Sequence, residues 1–167
     1  MKKILTFCLV VLTAVTTAKA QFEIGGIVGG LNGASAKYWF NDKMAIQADL
    51  AVGLTQGAFN GGSMGIWDFT VMPNFLYHFD VASGLKVYTG GGLNFGMCSG
   101  VAYYYGYNNG VAGKFGINAN AGLAYEIPSA PIVLAFDFRP GYGLMFTGGG
   151  NASYFDWKLA FAVRYRL

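Results

Sequence analysis

Residues 154–167, YFDWKLAFAVRYRL, divide by parity into two chemically different sets. Phe155, Trp157, Leu159, Phe161, Val163, Tyr165 and Leu167 are apolar or aromatic, whereas Tyr154, Asp156, Lys158, Ala160, Ala162, Arg164 and Arg166 are small, polar or charged. Side chains of an extended strand change face at every residue, so the stretch describes a ribbon held between a greasy solvent and a polar interior. A ribbon of this kind requires the rest of the chain to supply partner strands.

The first twenty residues belong to a different kind of segment. Lys2 and Lys3 precede an apolar run from Ile4 to about Val15, and Ala18-Lys19-Ala20 places small residues at cleavage positions, the pattern of a secretory signal peptide. The run is shorter than the roughly 20 residues of a spanning helix, so residues 1–20 are expected to be cleaved and residues 21–167 to form one domain. Of the eleven Lys and Arg residues, Lys2, Lys3 and Lys19 leave with the signal, and eight bases then face eight acids. A formally neutral chain without a basic tract excludes nucleic acid as the expected partner.

Cys8 falls inside the signal, which leaves Cys98 alone; no internal disulfide and no cluster of zinc ligands follows from one cysteine. No nucleotide, metal or redox motif is present, and no cofactor is expected. The chain is rich in Gly (26), Phe (14) and Tyr (11), and only 11% of it is charged. Soluble domains carry about a quarter charged residues. Low charge without another long apolar run is the composition of a membrane β-barrel, whose strands alternate too finely for a hydropathy plot.

Eight strands are expected, at about residues 22–30, 35–40, 44–55, 66–79, 85–97, 114–126, 132–146 and 154–167. Asn41-Asp42-Lys43, residues 80–84 and residues 127–131 read as tight turns. Residues 56–65 and 99–113 read as loops. Pro73 lies on the apolar side of the fourth strand, and a proline cannot donate to the ladder, so a local bulge is expected there.

In this registry Asp42 and Asp80 fall in turns. Glu23, Asp49, Asp68, Glu126, Asp137 and Asp156 all face inward, with Lys37, Lys86, Lys114, Lys158, Arg139, Arg164 and Arg166. None of these charges is assigned to the outer face, where a Lys or Arg would cost about 2–4 kcal/mol at the bilayer midplane. Eight strands enclose a space that side chains just fill, so the inward acids and bases are expected to pair and to plug the lumen. Arg164 and Arg166 require Glu23 or Glu126, with Glu23 the expected neighbour because the first strand closes the sheet.

The Lys37-Tyr38-Trp39-Phe40-Asn41-Asp42-Lys43 turn, the Asp137-Phe138-Arg139-Pro140-Gly141-Tyr142 segment and the last strand together resemble the small eight-stranded outer-membrane barrels of the OmpA and OmpX type, most closely the outer-membrane β-barrel-domain proteins of Bacteroidetes. The resemblance spans residues 21–167. It implies an all-β fold, an eight-stranded antiparallel up-and-down transmembrane β-barrel with short periplasmic turns and longer extracellular loops. It also implies a porin-like envelope protein of a Gram-negative outer membrane, in contact with outer-membrane lipid or lipopolysaccharide and inserted by the barrel assembly machinery.

Such motifs specify architecture and not chemistry. The expected function is a non-enzymatic structural or interaction component of the envelope, an accessory subunit of a larger outer-membrane complex being one form of it, with Tyr103, Tyr104, Tyr105 and Tyr107 as a candidate loop contact surface. Alternatives are a narrow solute channel and a lipid-A-modifying enzyme. The latter needs a nucleophile and a His base near the outer end. His78, the only histidine, falls at the turn end of its strand beside Asp80, and Asp137 with Arg139 reads as a lumen salt bridge.

Overall fold

The computed structural model of the chain describes residues 22–59, 62–99, 111–147 and 150–167. Residues 1–20, the expected signal peptide, lie outside that set, as do Tyr103, Tyr104, Tyr105 and Tyr107. The strands are β1 (Phe22–Gly29), β2 (Asn32–Trp39), β3 (Met44–Phe59), β4 (Gly62–Ala82), β5 (Leu85–Ser99), β6 (Val111–Glu126), β7 (Ile132–Thr147) and β8 (Gly150–Arg166). Each pairs antiparallel with its sequence neighbours, and β8 pairs with β1 to close the barrel. The chain is thus an up-and-down barrel of eight strands.

Several strands run further than the side-chain alternation reveals. Residues 56–65, read as a loop, belong mostly to a β3–β4 ladder that continues through Gln56↔Gly65 to Phe59↔Gly62. Glycine and alanine offer no contrast between faces, so parity is silent there while the backbone remains paired. The length expected of the links opposite the termini is accordingly held by residues 100–110, since β3 and β4 leave only 60–61 between them and β7 and β8 only 148–149.

Pro73 behaves differently from expectation. The β4–β5 register is the same on either side of it, Val71↔Phe95 and Asn74↔Gly92, so the proline removes a rung without adding a residue. The register shift in this hairpin lies instead between Asp80 and Ala82, beside the turn. Gly84, with φ +75°, makes that turn, and a Cβ on it would stand 2.6 Å from the Glu126 carbonyl oxygen.

The barrel is inverted relative to a soluble one. Trp67 is 62% exposed and Trp157 51%, while Arg139 is 2% exposed and Asp137 fully buried. Every strand except the small-residue β2 presents large apolar side chains outward, including Phe69, Phe95, Phe115, Phe138 and Phe161. Such a surface is stable against hydrocarbon and costly against water.

The register climbs around the barrel. Starting from Glu23, cross-strand partners lead through Lys37, Gln47, Asn74, Gly92, Asn118 and Gly141 to Asp156, yet the β8 partner of Glu23 is Arg166. The ten positions between Asp156 and Arg166 are the stagger that closure imposes on tilted strands. Because β1 and β2 are short, β3 and β8 extend past them and meet directly at Gly57↔Asp156 and Ala58↔Phe155. The tip of the β1–β2 hairpin is wedged below this junction: the Gly30 amide donates to the Leu159 carbonyl at 2.7 Å, and Leu31 is fully buried.

Candidate functional site: the polar lumen

Inward-facing polar residues form three layers along the axis. At the mouth beside the termini, Glu23 and Arg166 are cross-strand partners on β1 and β8. Arg166 Nη2 donates to Glu23 Oε1 at 2.7 Å, and its Nη1 and Nη2 donate to the Glu126 carboxylate at 2.9 and 2.8 Å. Trp39 Nε1 donates to the same Glu23 oxygen at 2.8 Å. Lys86 Nζ lies 3.0 Å from Glu126 and 4.8 Å from the Trp39 ring centroid. One guanidinium therefore ties β8 to β1 and β6, in the forked geometry suited to carboxylates.

Outside this layer, a cleft of about 320 Å³ opens among Gly84, Ile127, Pro128 and Pro131, with Glu126 and Arg166 in its wall. Asp80, opposite Lys86 in the ladder just before the register shift, is exposed at the rim with its carboxylate 3.9 Å from Lys86 Nζ.

The middle layer is enclosed. Arg139 Nη1 donates to Asp49 at 2.6 Å and Nη2 to Asp137 at 2.8 Å, spanning the lumen from β7 to β3. Tyr88 also donates to Asp137, and Gln47 Nε2 to Asp49 at 2.9 Å. Tyr88 approaches Asp137 across β6, where Gly122 leaves the path open: a Cβ there would lie 2.5 Å from Tyr88 Cζ and 2.4 Å from the Phe136 carbonyl.

His78 is packed between Trp39 and Tyr88, with ring centroids 4.3 and 5.0 Å away. Its Nδ1 is 3.3 Å from the Lys43 carbonyl and its Nε2 is 3.3 Å from Lys37 Nζ. Donation by Nδ1 leaves Nε2 as the acceptor for the lysine. Among the described residues its ring nitrogens meet Lys43 and Lys37 and no hydroxyl, the geometry of a positioned buried histidine.

The third layer lies toward the end opposite the termini. Lys114 Nζ donates to Asp68 at 2.7 Å and to Asp156 at 3.3 Å. Lys158 bonds Asp156 and lies 3.8 Å from Asp68, and Thr70 donates to Asp68 at 2.7 Å. Two bases and two acids thus share one site. Tyr154 donates to Asn94 beside it, and Lys114 Nζ is 4.8 Å from the Tyr154 ring. Cys98 is buried against Met145, with Sγ 3.8 Å from the thioether sulfur.

Of the thirteen charges read as inward, ten are buried and Lys86, Glu126 and Arg166 lie partly exposed at the termini mouth; Arg139 with Asp137 and Lys158 with Asp156 pair along one strand, and the other pairings join different strands. Arg164 was expected near Glu23; it stands opposite Gly25, and its Nε donates to Ser35 Oγ at 2.8 Å. Glu23 is taken by Arg166, the residue directly across the ladder. Trp39, Ser35 and Gln47 are lumen contributors that charge alone does not reveal. Trp39 shares the parity of Lys37, which is the signal that identifies it.

No family model and no curated protein matches this chain. Among solved structures it is similar to Neisserial surface protein A, with a TM-score of 0.64 at 17% identity over 88% of this chain and 97% of that one. It is also similar to the N-terminal β-barrel domain of Pseudomonas aeruginosa OprF, with a TM-score of 0.54 at 16% identity over 87% of this chain and 95% of that domain. At such identities the likeness is one of architecture. Strand number, closure, apolar exterior and both comparisons agree that this chain has the fold of the small eight-stranded outer-membrane β-barrels.

Proposed function

We propose that the protein resides in a bacterial outer membrane as a non-enzymatic barrel whose lumen is closed by its own charge-paired side chains, serving as a structural or interaction component of the envelope. The observation that carries this reading is the Asp49–Arg139–Asp137 bridge, buried and spanning the lumen at mid-height. A conducting path at that level has to break hydrogen bonds between ions removed from water, which costs several kcal/mol. With the axis closed, the surfaces left for function are the lipid-facing wall, the cleft at the termini end and the links at the other end. In this reading lipid or lipopolysaccharide surrounds the wall, the barrel assembly machinery inserts it, and a larger outer-membrane complex is a candidate partner.

The test is planar-bilayer conductance of the purified, refolded protein. A closed barrel gives no stable large openings, and their regular appearance overturns the closed-lumen reading. Recovery of a defined protein with the barrel from native membranes in mild detergent supports the accessory role; recovery of the barrel alone argues against it.

A further inference from the structure

We propose that the middle of the lumen binds a small inorganic monoanion of chloride size between Lys37 and Arg164. Both side chains are buried, each 1% exposed. Neither forms a salt bridge with a carboxylate among the described residues: Lys37 Nζ contacts His78 Nε2, and Arg164 reaches only Ser35 through Nε. Arg164 Nη1 and Nη2 are buried without any hydrogen-bond partner.

The acids of the neighbouring strands bond other donors, and although Glu23 Oε2 and Asp49 Oδ1 accept no hydrogen bond among the described residues, neither carboxylate forms a salt bridge with Lys37 or Arg164. Asp137 accepts from Tyr88 and Arg139, Asp49 from Arg139 and Gln47, and Glu23 from Trp39 and Arg166. The half of the lumen on the termini side holds five cations, Lys37, Lys86, Arg139, Arg164 and Arg166, against the four carboxylates of Glu23, Asp49, Glu126 and Asp137, an excess of one positive charge.

A buried cation without a counter-charge is among the most costly arrangements in a protein. The cost is removed by an anion that accepts from it. The donors are already grouped, because Lys37 and Ser35 on β2 and Arg164 on β8 flank the same stretch of β1, Glu23–Gly25. Ser35 Oγ accepts from Arg164 Nε, so its own proton is free to donate. The guanidinium fork and the ammonium are donors and the hydroxyl proton can join them, which favours an anion over a cation and, with the excess positive charge, over a neutral water. Enclosure selects a small one, held from folding onward and not exchanged through an open pore.

The deciding experiment uses the full barrel refolded in bromide and crystallised from it. Anomalous scattering is expected to place a bromide within hydrogen-bonding reach of Arg164 Nη1 or Nη2 and of Lys37 Nζ. In parallel, the thermal midpoint in detergent is expected to be about 2–4 °C higher in chloride or bromide than in gluconate at equal ionic strength. A K37M/R164L variant is expected to lose that difference. Absence of a bromide peak between the two side chains overturns the proposal even if the variant fails to refold, as does an equal midpoint in all three salts. Bilayer conductance bears on the closed lumen and leaves this site untouched, so the two readings fail separately.

Discussion

Arg166 and Glu23 face each other across the β8–β1 ladder, and the 2.7 Å contact between Nη2 and Oε1 joins the two ends of the described barrel. The same guanidinium reaches Glu126 on β6, so removing it releases two carboxylates at once. Arg166→Ala is expected to destabilise the folded barrel by about 1.5–3 kcal/mol, the range for hydrogen bonds to charged groups. Urea unfolding in lipid vesicles, followed by Trp fluorescence, measures the change. Glu23→Gln combined with it should be markedly less than additive, because the two residues share one interaction.

Arg139 holds two buried carboxylates apart. Arg139→Met leaves Asp49 and Asp137 charged and adjacent in the lumen, for an expected loss of about 3–5 kcal/mol. Adding Asp49→Asn and Asp137→Asn should restore most of it, since the cost arises from unpaired charge and not from lost volume. Comparing the single and triple variants in the same unfolding assay distinguishes these causes.

The lipid-facing wall gives a depth-dependent outcome. Phe138, midway along β7 and pointing outward, is expected to cost about 2–4 kcal/mol when changed to Arg, whereas Phe79→Arg beside the β4–β5 turn should cost about 0–1 kcal/mol. Refolding yield and unfolding midpoint in vesicles report both. Equal costs at the two positions would be inconsistent with a hydrocarbon slab around the barrel.

Gly122 is constrained by the approach of Tyr88 and by the Phe136 carbonyl. Gly122→Ala should destabilise by about 1–3 kcal/mol, the range for overpacking a filled interior. Tyr88→Phe, which removes only the hydroxyl donor to Asp137, should cost about 1–3 kcal/mol through the acceptor left unsatisfied. If the alanine acts by displacing Tyr88, the two changes combined should fall well short of their sum, and chemical denaturation of all three variants decides this.

Cys98 is 2% exposed and lies against Met145 and the Ala112 carbonyl. A maleimide reagent should leave it unmodified in the refolded barrel and label it completely in urea. Mass spectrometry of the two samples reads the difference directly.

The architecture was legible because both faces of each strand carry information when the outer solvent is hydrocarbon. Phe138 and Arg139 differ by one residue and lie in opposite environments, so parity alone assigns them. Strand ends were legible only where side chains contrast, and residues 56–65 have too little contrast to betray a ladder. Pairing within one strand was legible, as Asp137 with Arg139 shows, but pairing between strands was only partly so, for a geometric reason. Arg164 and Arg166 have the same chemistry and the same face, and a two-residue slip of β8 against β1 would put Arg164 opposite Glu23 in place of Arg166. Only the register decides that Arg166 meets Glu23 while Arg164 meets Ser35.

The short β1–β2 hairpin also shapes the molecule as an inclusion in a bilayer. Near the termini the wall has eight strands, but beyond Leu31 it is carried by six, closed where Gly57 and Ala58 meet Asp156 and Phe155. Barrel diameter grows with strand number, so the wall narrows past the β1–β2 tip and its wider section is the one that carries the Glu23–Arg166 closure.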